Sequence, residues 1–377
     1  MDMSVLLLVL GLLLFVGLVV VHEFGHFIMA RRNGVEVEEF GIGFPPRAWA
    51  RETKSGFLFS INWLPLGGFV KLKGEHDSDT KPGTYGAASL SAKTKIMLAG
   101  VVMNLIAAFL LLMVLAWVGM PRLIDNQYTV KRDTKVTQNQ VLVGYIEPSS
   151  PAQKSGLRLK DEILSIGVAS SNLQKVQSQD QLPDLTKHFA GQTVTILIRR
   201  AGKTESVNAT LRTAKEVNSS LNSNNPKGYL GISPAEYTLL RSTWSAPIVA
   251  GGLIGQFTAL TFAGLGHALN ALFHGHGGQA SAQVAGPVGI FALLKNGSLL
   301  GYQFILMIIA IISLTLAIMN ALPIPALDGG RLFVTWIFRA VRKPLKQKTE
   351  EWIHGTGFAL LMLLFVLITV VDVRRFF

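Results

Sequence analysis

Two histidines and a glutamate in the stretch VVVHEFGHFIM, residues 19–29, have the types and the spacing for metal-dependent hydrolysis. His22 and His26 stand four residues apart, so on a helix both imidazoles lie on one face, about one turn apart, and can meet one ion. Glu23 lies beside them, where it can act as general base on a metal-bound water. Because ionisable side chains in an apolar segment are costly and by default functional, the pattern predicts a catalytic metal site rather than a chance match.

A catalytic zinc ion usually takes three protein ligands and one water. The chain contains no cysteine, so the third ligand has to be a histidine or a carboxylate. Asp328 stands at the edge of another apolar run, in NALPIPALDGGR, residues 320–331. Pro323 and Pro325 must break a helix there, and a broken helix at membrane depth is tolerated where its backbone lines a polar cavity. We therefore predict Asp328 as the third ligand; taken alone, the segment also fits a helix end capped by an aspartate.

The motifs lie in apolar runs that are long enough to cross a bilayer. The sequence is 49% hydrophobic and only 15% charged, whereas soluble domains carry about 25% charged residues. Runs that reach or approach the ~20 residues needed for a span occur at residues 3–21, 96–120, 302–322 and 353–371. The sequence thus predicts a polytopic α-helical membrane protein with four transmembrane helices. We assign its net charge of +12 to membrane-surface bias, because no motif indicates nucleic-acid binding.

Basic residues indicate how the spans are oriented. Residues 31–95 contain ten lysines and arginines, and Arg339–Lys348 contains five, which predicts both segments on the cytoplasmic side. Residues 246–273 are apolar enough for a fifth span. However, the histidines and Asp328 lie at the carboxyl-terminal ends of their runs. These ends can meet only if the two runs cross the membrane in the same direction. One crossing between them satisfies this condition, whereas two would place Asp328 on the opposite side of the membrane from the histidines. We therefore predict an interfacial amphipathic segment at 236–300.

The remaining histidines lie outside the predicted site. His267, His274 and His276 could form a second metal site, but interfacial or loop histidines are the simpler interpretation. Ordinary polar positions are predicted for His76, His188 and His354.

Two regions show the alternation of apolar and polar residues that is typical of β-strands. Residues 57–72, GFLFSINWLPLGGFVK, predict a β-hairpin on the cytoplasmic side. Residues 141–167 look like the core of a PDZ domain, and residues 193–213 alternate as a further hairpin. Residues 168–187 and 214–227 are rich in Ser, Asn, Gln and Lys and predict loops.

The stretch GYLGI at residues 228–232 resembles a PDZ carboxylate-binding loop. Its backbone amides could hold a peptide carboxylate, so Tyr229, Leu230 and Gly231 are candidates for binding peptide carboxyl termini. Such a domain can equally be a steric filter that binds nothing tightly.

The motifs HEFGH and NALPIPALDGG together resemble the site-2 protease family of intramembrane zinc metalloproteases, in particular its bacterial sigma-E-regulating, RseP-like branch with a single PDZ domain. The resemblance covers essentially the whole chain. Weaker matching stretches are FGIGFPP (40–46), LPLGGFVKLKGE (64–75), AGVVMN (99–104) and GPVGI (286–290). One departure is Val101, where the family often has proline; it lies in the second predicted span and does not touch the chemistry.

The resemblance implies a Zn²⁺ ion held by His22, His26 and Asp328, with Glu23 as catalytic acid/base. It also implies a bacterial inner-membrane protein with its active site towards the cytoplasm and an extracytoplasmic PDZ domain. The hairpin would dip into the membrane and present a sheet edge to an unwound substrate. Further substrate contacts are expected from Asn320, Pro323, Gly67 and Gly68, although Asn320, like Asn104, also fits a plain contact between helices.

These inferences divide the chain into seven segments. In chain order they are the first transmembrane helix with the histidine motif at 3–30, the cytoplasmic β-loop region at 31–95, the second helix at 96–120, the PDZ domain at 125–235, the interfacial segment at 236–300, the broken third helix at 301–338 and the fourth helix at 353–373.

The expected function is zinc-dependent proteolysis of single-pass membrane proteins after a first extracytoplasmic cut. The substrates would be anti-sigma-factor-like proteins or remnant signal peptides, and the lipid bilayer is the other partner. One alternative is a proteolytically inactive PDZ membrane scaffold with a structural zinc. Glu23 separates the two, because a scaffold has no reason to keep it. A metal transporter is disfavoured, since the spans offer one ligand cluster and no second site along a pathway.

Overall fold

The computed structural model describes residues 3–168, 172–200, 202–221, 226–274 and 286–376. The chain divides into two compact units. The helical unit comprises Met1–Met120, Asn126–Asp133 and Ser242–Phe377, and the sheet unit comprises Pro121–Asp125 and Thr134–Arg241. A short strand, β3 (Met120–Pro121), lies where the chain first passes from one unit to the other.

The helical unit holds most of the apolar runs. Its elements are α1 (Met3–Arg32), β1 (Val37–Glu52), β2 (Leu58–Leu72), α2 (Leu90–Val118), α6 (Ala246–Phe273), α7 (Pro287–Ser298), α8 (Tyr302–Ala321), α9 (Asp328–Ala340) and α10 (Gln347–Phe376). Several helices begin before their apolar runs, because polar turns extend them. The side chain of Ser89, for example, caps α2 by accepting a hydrogen bond from Ala92 N.

Five helices in the described part of the chain are long and apolar enough to cross a membrane: α1, α2, α6, α8 and α10. Four of them cover the four predicted runs, except for the last one or two residues at the ends of α2 and α8, so the chain is a multi-pass membrane protein. The fifth, α6, is the least apolar of the five. Length and composition therefore permit α6 to span, and its interfacial placement stays a prediction.

The helices that carry the motifs pack directly against one another. At Gly25 a Cβ atom would lie only 2.5 Å from the carbonyl oxygen of Ala99, so α1 and α2 approach more closely than any side chain would allow. The hydroxyl of Ser313 on α8 donates a 2.8 Å hydrogen bond to the carbonyl of Asn104 on α2. Helices α1, α2 and α8 thus form the frame in which the site is built.

The predicted break in the third span is confirmed. Helix α8 ends at Ala321 and α9 begins at Asp328, with Pro323 and Pro325 between them. A Cβ at Gly329 would meet the carbonyl oxygen of Ala321 at 2.5 Å, so the break folds tightly onto α9. Asp328 is the first residue of α9 and its N-cap is Leu327, so the alternative of a helix capped by this aspartate is not what the structure has.

The prediction of a β-hairpin at 57–72 is wrong, because the two halves of this segment do not pair with each other. Both halves of β2 pair with the same part of β1: residues 39–42 pair with residues 58–61 and also with residues 68–71. Residues 49–52 pair with residues 58–61 as well, so residues 39–42 and 58–61 are the two inner strands of a small sheet. The partner strand is supplied by a preceding segment, which the alternation within 57–72 cannot indicate.

One buried carboxylate ties this small sheet together. Glu39, near the start of β1, accepts hydrogen bonds from the guanidinium of Arg47 and from the hydroxyl of Ser60. Although burial raises the pKa of Glu39, the bonds from Arg47 and Ser60 hold it below its ordinary value. A charged and fully bonded Glu39 fixes the register of the two strands.

The sheet unit is mainly antiparallel β. Its elements are β4 (Lys135–Ile146), α3 (Pro151–Lys154), β5 (Glu162–Gly167), β6 (Gln174–Lys175), α4 (Gln181–His188), β7 (Thr193–Arg200), β8 (Lys203–Thr210), α5 (Ala214–Ser220) and β9 (Ile232–Arg241). The strand order runs β9–β4–β5–β7–β8, with β6 beside β5. Val194, Ile196 and Ile198 are each 0% exposed, as strand alternation predicts.

The hairpin predicted at 193–213 is confirmed by the pairing of β7 with β8. The two predicted loops are wrong in part, because 168–187 contains β6 and α4, and 214–227 contains α5. Thr213 and Glu216 form a capping box that starts α5, a signal that the polar composition concealed. Residues 169–171 and 222–225 of these stretches lie outside the described residues.

Candidate metal centre

The structure brings together the three predicted ligands, which lie far apart in the sequence. Helix α1 presents His22 and His26 from successive turns, and α9 presents Asp328 from its first residue. His22 Nε2 lies 3.0 Å from Asp328 Oδ2, His26 Nε2 lies 3.2 Å from the same oxygen, and the two Nε2 atoms are 3.1 Å apart. Both histidines are buried. Among the described residues, this is the one group of three such side chains close enough to hold a metal ion.

The donor atoms fit a zinc ion. Bonds of about 2.0–2.1 Å at tetrahedral angles place neighbouring donors about 3.3 Å apart, close to the 3.0–3.2 Å found here. His26 Nδ1 lies 2.8 Å from the carbonyl oxygen of Ile96, so Nδ1–H donates there and Nε2 keeps a free lone pair. Three lone-pair atoms at these distances repel one another unless a proton or a metal cation lies among them. Two nitrogens and one carboxylate also leave a fourth position for water.

Helix α2 contributes two residues that sequence reasoning did not assign to the site. A Cβ at Gly100 would lie 2.5 Å from both His22 Cε1 and His26 Nε2, so bare backbone is needed where α2 passes the imidazoles. Asn104 is buried, and its Nδ2 lies 3.3 Å from His22 Nδ1. Flipping the Asn104 side-chain amide, which exchanges its oxygen and nitrogen, would let the oxygen accept a hydrogen bond from Nδ1–H of His22. Nε2 of His22 would then be free to bind the metal.

The signal for these two residues was present in the sequence. Gly100 and Asn104 stand four residues apart in the stretch AGVVMN, so they share one face of α2. The sequence alone favours a plain contact between helices for Asn104. It does make one, through its backbone carbonyl, but its side chain lies against a predicted ligand.

Glu23 lies against the β2 strand. Its Oε2 accepts a 3.1 Å hydrogen bond from the backbone amide of Val70. The predicted substrate contacts Gly67 and Gly68 are beside it: a Cβ at Gly68 would lie 3.7 Å from Glu23 Cγ, and one at Gly67 would lie 3.4 Å from Val19 Cγ1. The part of β2 around Gly68 therefore lies along α1 at the level of Glu23.

The other predicted contacts lie in two places. Asn320 is half-buried in the last turn of α8, and Pro323 is exposed in the break that precedes Asp328. Tyr229, Leu230 and Gly231 belong to the sheet unit. There they line a cavity of about 110 Å³ between the start of β9 and helix α4.

One of the other histidines differs from expectation. His354 is predicted to be an ordinary polar position, but its Nδ1 accepts a 3.2 Å hydrogen bond from the amide of Ala326, within the break of the third span. His274 follows the last residue of α6, and its Nδ1 lies 2.8 Å from the carbonyl oxygen of Asn270 in that helix. His276 lies outside the described residues, and the described part contains no second metal-binding group.

A charged network holds the segment before α2 against α9. The ammonium of Lys93, 0% exposed, pairs with Asp77. Arg331, one turn after Asp328, donates to the carbonyl of Glu75 at 3.3 Å and lies over the ring of Tyr85. This network fixes α9, and therefore the aspartate at its start, relative to α2.

Comparison with known proteins finds a family and relatives that match nearly the whole chain. The family model described as Peptidase family M50 matches residues 10–364. A zinc metalloprotease candidate of Clostridium acetobutylicum is 31% identical, with 98% of this chain and 98% of that one covered. Another of Campylobacter jejuni is 31% identical over 95% of this chain and 90% of that one. The protease candidate Eep of Enterococcus faecalis is 27% identical over 96% and 97%. A match of this extent, on a chain whose apolar helices gather two histidines and an aspartate, means that the protein belongs to peptidase family M50 and is a membrane-embedded zinc metalloendopeptidase of the site-2 protease type.

Proposed function

We propose that this enzyme cleaves single-pass membrane proteins within the membrane, with His22, His26 and Asp328 holding the zinc and Glu23 as catalytic acid/base. The observation that carries the proposal is the triangle of donor atoms, 3.0–3.2 Å on each edge, within apolar helices and next to Glu23. A site buried in apolar helices favours a substrate that is itself membrane-embedded.

The chemistry is hydrolysis of a peptide bond. When bound, zinc polarises the scissile carbonyl and lowers the pKa of water. Glu23 takes a proton from that water and hands it to the leaving amine, while the hydroxyl oxygen bonds to the carbonyl carbon. The amide of Val70 holds Oε2 of Glu23, so the carboxylate keeps a fixed orientation and its other oxygen is the one that exchanges protons.

The substrate has to be extended near the site, because the amides of an intact helix are occupied by its own hydrogen bonds. We infer that the β2 segment at Gly67 and Gly68 guides the unwound stretch along α1. Asn320 and Pro323 would contact the same stretch from the break ahead of Asp328. This arrangement is supported by the closeness of Gly68 to Glu23.

The sheet unit is proposed to be an extracytoplasmic PDZ domain. The cavity between β9 and α4, lined by Tyr229, Leu230 and Gly231, would be the site for an extended peptide end. It would either bind the carboxyl terminus left by a first cut or exclude substrates that have not been cut. Substrates of this kind are anti-sigma-factor-like proteins or remnant signal peptides.

We further propose a bacterial inner-membrane location with the metal centre towards the cytoplasm. The lysines and arginines of residues 31–95 and Arg339–Lys348 support this orientation. The contact of Asp328 with His22 requires the carboxyl halves of α1 and α8 to lie on the same side. Since α2 already crosses once between them, α6 would be interfacial and the protein would have four spans.

Glu23→Gln in the purified full-length enzyme tests the mechanism. The variant should keep about one zinc per chain and lose about 10²–10⁴-fold in turnover of a pre-trimmed single-pass substrate, because only the base is removed. Glu38→Gln, at an exposed carboxylate paired with Lys71, is the matched control and should cleave normally. Asp328→Ala should lose the zinc itself. Near wild-type cleavage by Glu23→Gln would refute the assigned role, and full zinc in Asp328→Ala would refute the ligand set.

A further inference from the structure

A cavity of about 440 Å³ lies between α1 and α2, apart from the residues proposed to bind zinc. Its volume is in the range of small-ligand sites, about 300–1,000 Å³. Its walls are apolar side chains of two membrane helices, among them Ile28 and Met29 of α1 and Leu98 and Val102 of α2. The groove therefore offers a long apolar surface at membrane depth.

Two cationic side chains line the same cavity. They are Arg32, the last residue of α1, and Lys95, near the start of α2, and both are exposed. Within the described ranges, neither makes an ion pair or a hydrogen bond through its side chain. Their neighbours are engaged: Arg31 lies over the rings of Phe27 and Phe57, and Lys93 is paired. The groove thus has two uncompensated positive charges.

A tryptophan marks the depth of these charges. Thr94 also lines the cavity, and its hydroxyl accepts a 3.3 Å hydrogen bond from the indole N–H of Trp336. Trp336 is 45% exposed, and exposed tryptophans of membrane proteins concentrate at the level of the lipid headgroups. The charged end of the groove is therefore at headgroup level, and its apolar length extends into the hydrocarbon as far as Gly25 and Met103.

We propose that this groove binds one anionic phospholipid from the leaflet at the carboxyl end of α1. Its phosphate would lie between Arg32 and Lys95, and one acyl chain would lie along Leu98 and Val102. A zwitterionic headgroup fits less well, because its ammonium group would be repelled by the two cations. The bound lipid would fill the groove beside the close contact of Gly25 with Ala99, which joins α1 to α2.

The test uses the full-length protein in nanodiscs made of equal amounts of phosphatidylglycerol and phosphatidylcholine. After release into mild detergent, native mass spectrometry should find one phosphatidylglycerol retained per chain. Arg32→Gln with Lys95→Gln should weaken this retention by at least about tenfold, the scale expected for two basic side chains at an anionic surface. Lys346→Gln with Lys348→Gln removes equal charge from other exposed positions and should change nothing.

A second pair of variants tests the apolar part without changing charge. Val102→Trp should fill the groove and release the lipid, whereas Val118→Trp, at a similarly exposed position of the same helix (47% against 49%), should not. The proposal would be overturned if the Arg32→Gln/Lys95→Gln and the Lys346→Gln/Lys348→Gln variants retained phosphatidylglycerol equally. It would also be overturned if the wild type retained phosphatidylcholine as well as phosphatidylglycerol. Release of phosphatidylglycerol by a neutral single-pass helix, with Arg32→Gln and Lys95→Gln having no effect, would assign the groove to a protein segment instead. Zinc content checks the fold of every variant, because none of these residues is a proposed ligand.

Discussion

Replacing Gly100 with alanine should disable the metal centre while leaving α2 helical. The added Cβ would lie 2.5 Å from His22 Cε1 and from His26 Nε2, whereas atoms in favourable contact are about 3.5–4.0 Å apart. The imidazoles or the helix must therefore separate by about 1 Å. The imidazoles are not free to yield, because the Nδ1 atom of each is held, by Ile96 O at 2.8 Å and by Asn104 at 3.3 Å.

A shift of this size has a large expected effect. Misplacing reacting groups by 1 Å can cost about 10²-fold in rate, and disturbing the residues that orient metal ligands costs about 10–100-fold in affinity. We therefore expect Gly100→Ala to weaken zinc binding at least about tenfold and to lower kcat by about 100-fold. Helix propensity alone would stabilise α2 in this variant, since alanine is favoured over glycine in a helix by about 0.8–1.0 kcal/mol. A loss of zinc binding would therefore not come from a weaker helix.

The assay is a zinc titration against a competing chelator, with cleavage of a single-pass substrate measured on the same preparation. Gly17→Ala is the control, because it is also in a membrane helix and a Cβ there meets nothing within 4 Å. Gly17→Ala should bind zinc and cleave the substrate like the wild type. Circular dichroism would show whether each variant stays helical. If Gly100→Ala binds zinc and cleaves like the wild type, the close approach of α2 does not shape the site.

Three other predictions concern the orientation of a ligand, the stability of the small sheet and the orientation of the protein in the membrane. Asn104→Leu should weaken zinc binding about 10–100-fold, measured by the same titration; unchanged affinity would return Asn104 to a purely interhelical role. The pKa of Glu39 is raised by burial but lowered more by Arg47, to below its ordinary 4.5, so its stabilisation of β1–β2 is present above that pH and lost as the pH falls through the lowered value. Hydrogen exchange of β1 should rise in that acidic range, and Glu39→Gln should remove the dependence. The chain has no cysteine, so a cysteine at Ser78 should escape a membrane-impermeant thiol reagent in intact cells and one at Ser178 should react; the reverse pattern would invert the orientation.

The metal-binding chemistry can be predicted from the sequence because each motif is set by residues that are close together in the chain. Residues four apart on a helix must share a face, so the spacing of His22 and His26 is enough to indicate a common ion. Prolines must interrupt a helix, so the break ahead of Asp328 is equally local. The meeting of the two motifs follows from the ligand number of zinc, and the structure brings the three side chains together.

What escaped prediction depends on packing between distant segments. Gly100 is needed only because α2 passes the imidazoles, and the bond from Val70 to Glu23 exists only because β2 folds back along α1. The error at 57–72 has the same origin, since both halves of this segment pair with residues 39–42, which precede it in the sequence. Alternation indicates that a segment is a strand, but not which strand lies beside it.

The position of Asp328 depends on a helix that contributes no ligand. Ala326 has a φ of 77°, and a non-glycine residue in this left-handed region costs of order 1–3 kcal/mol unless its surroundings hold it there. His354 of α10 holds it by accepting from its amide at 3.2 Å, and Gly357 allows Pro325 to pack directly on α10. Without α10, the break would be free to relax, and Asp328 would lose the constraint that keeps its carboxylate at the histidines. A ligand taken from a broken helix therefore needs a neighbouring helix that satisfies the freed backbone, which in hydrocarbon no water can do.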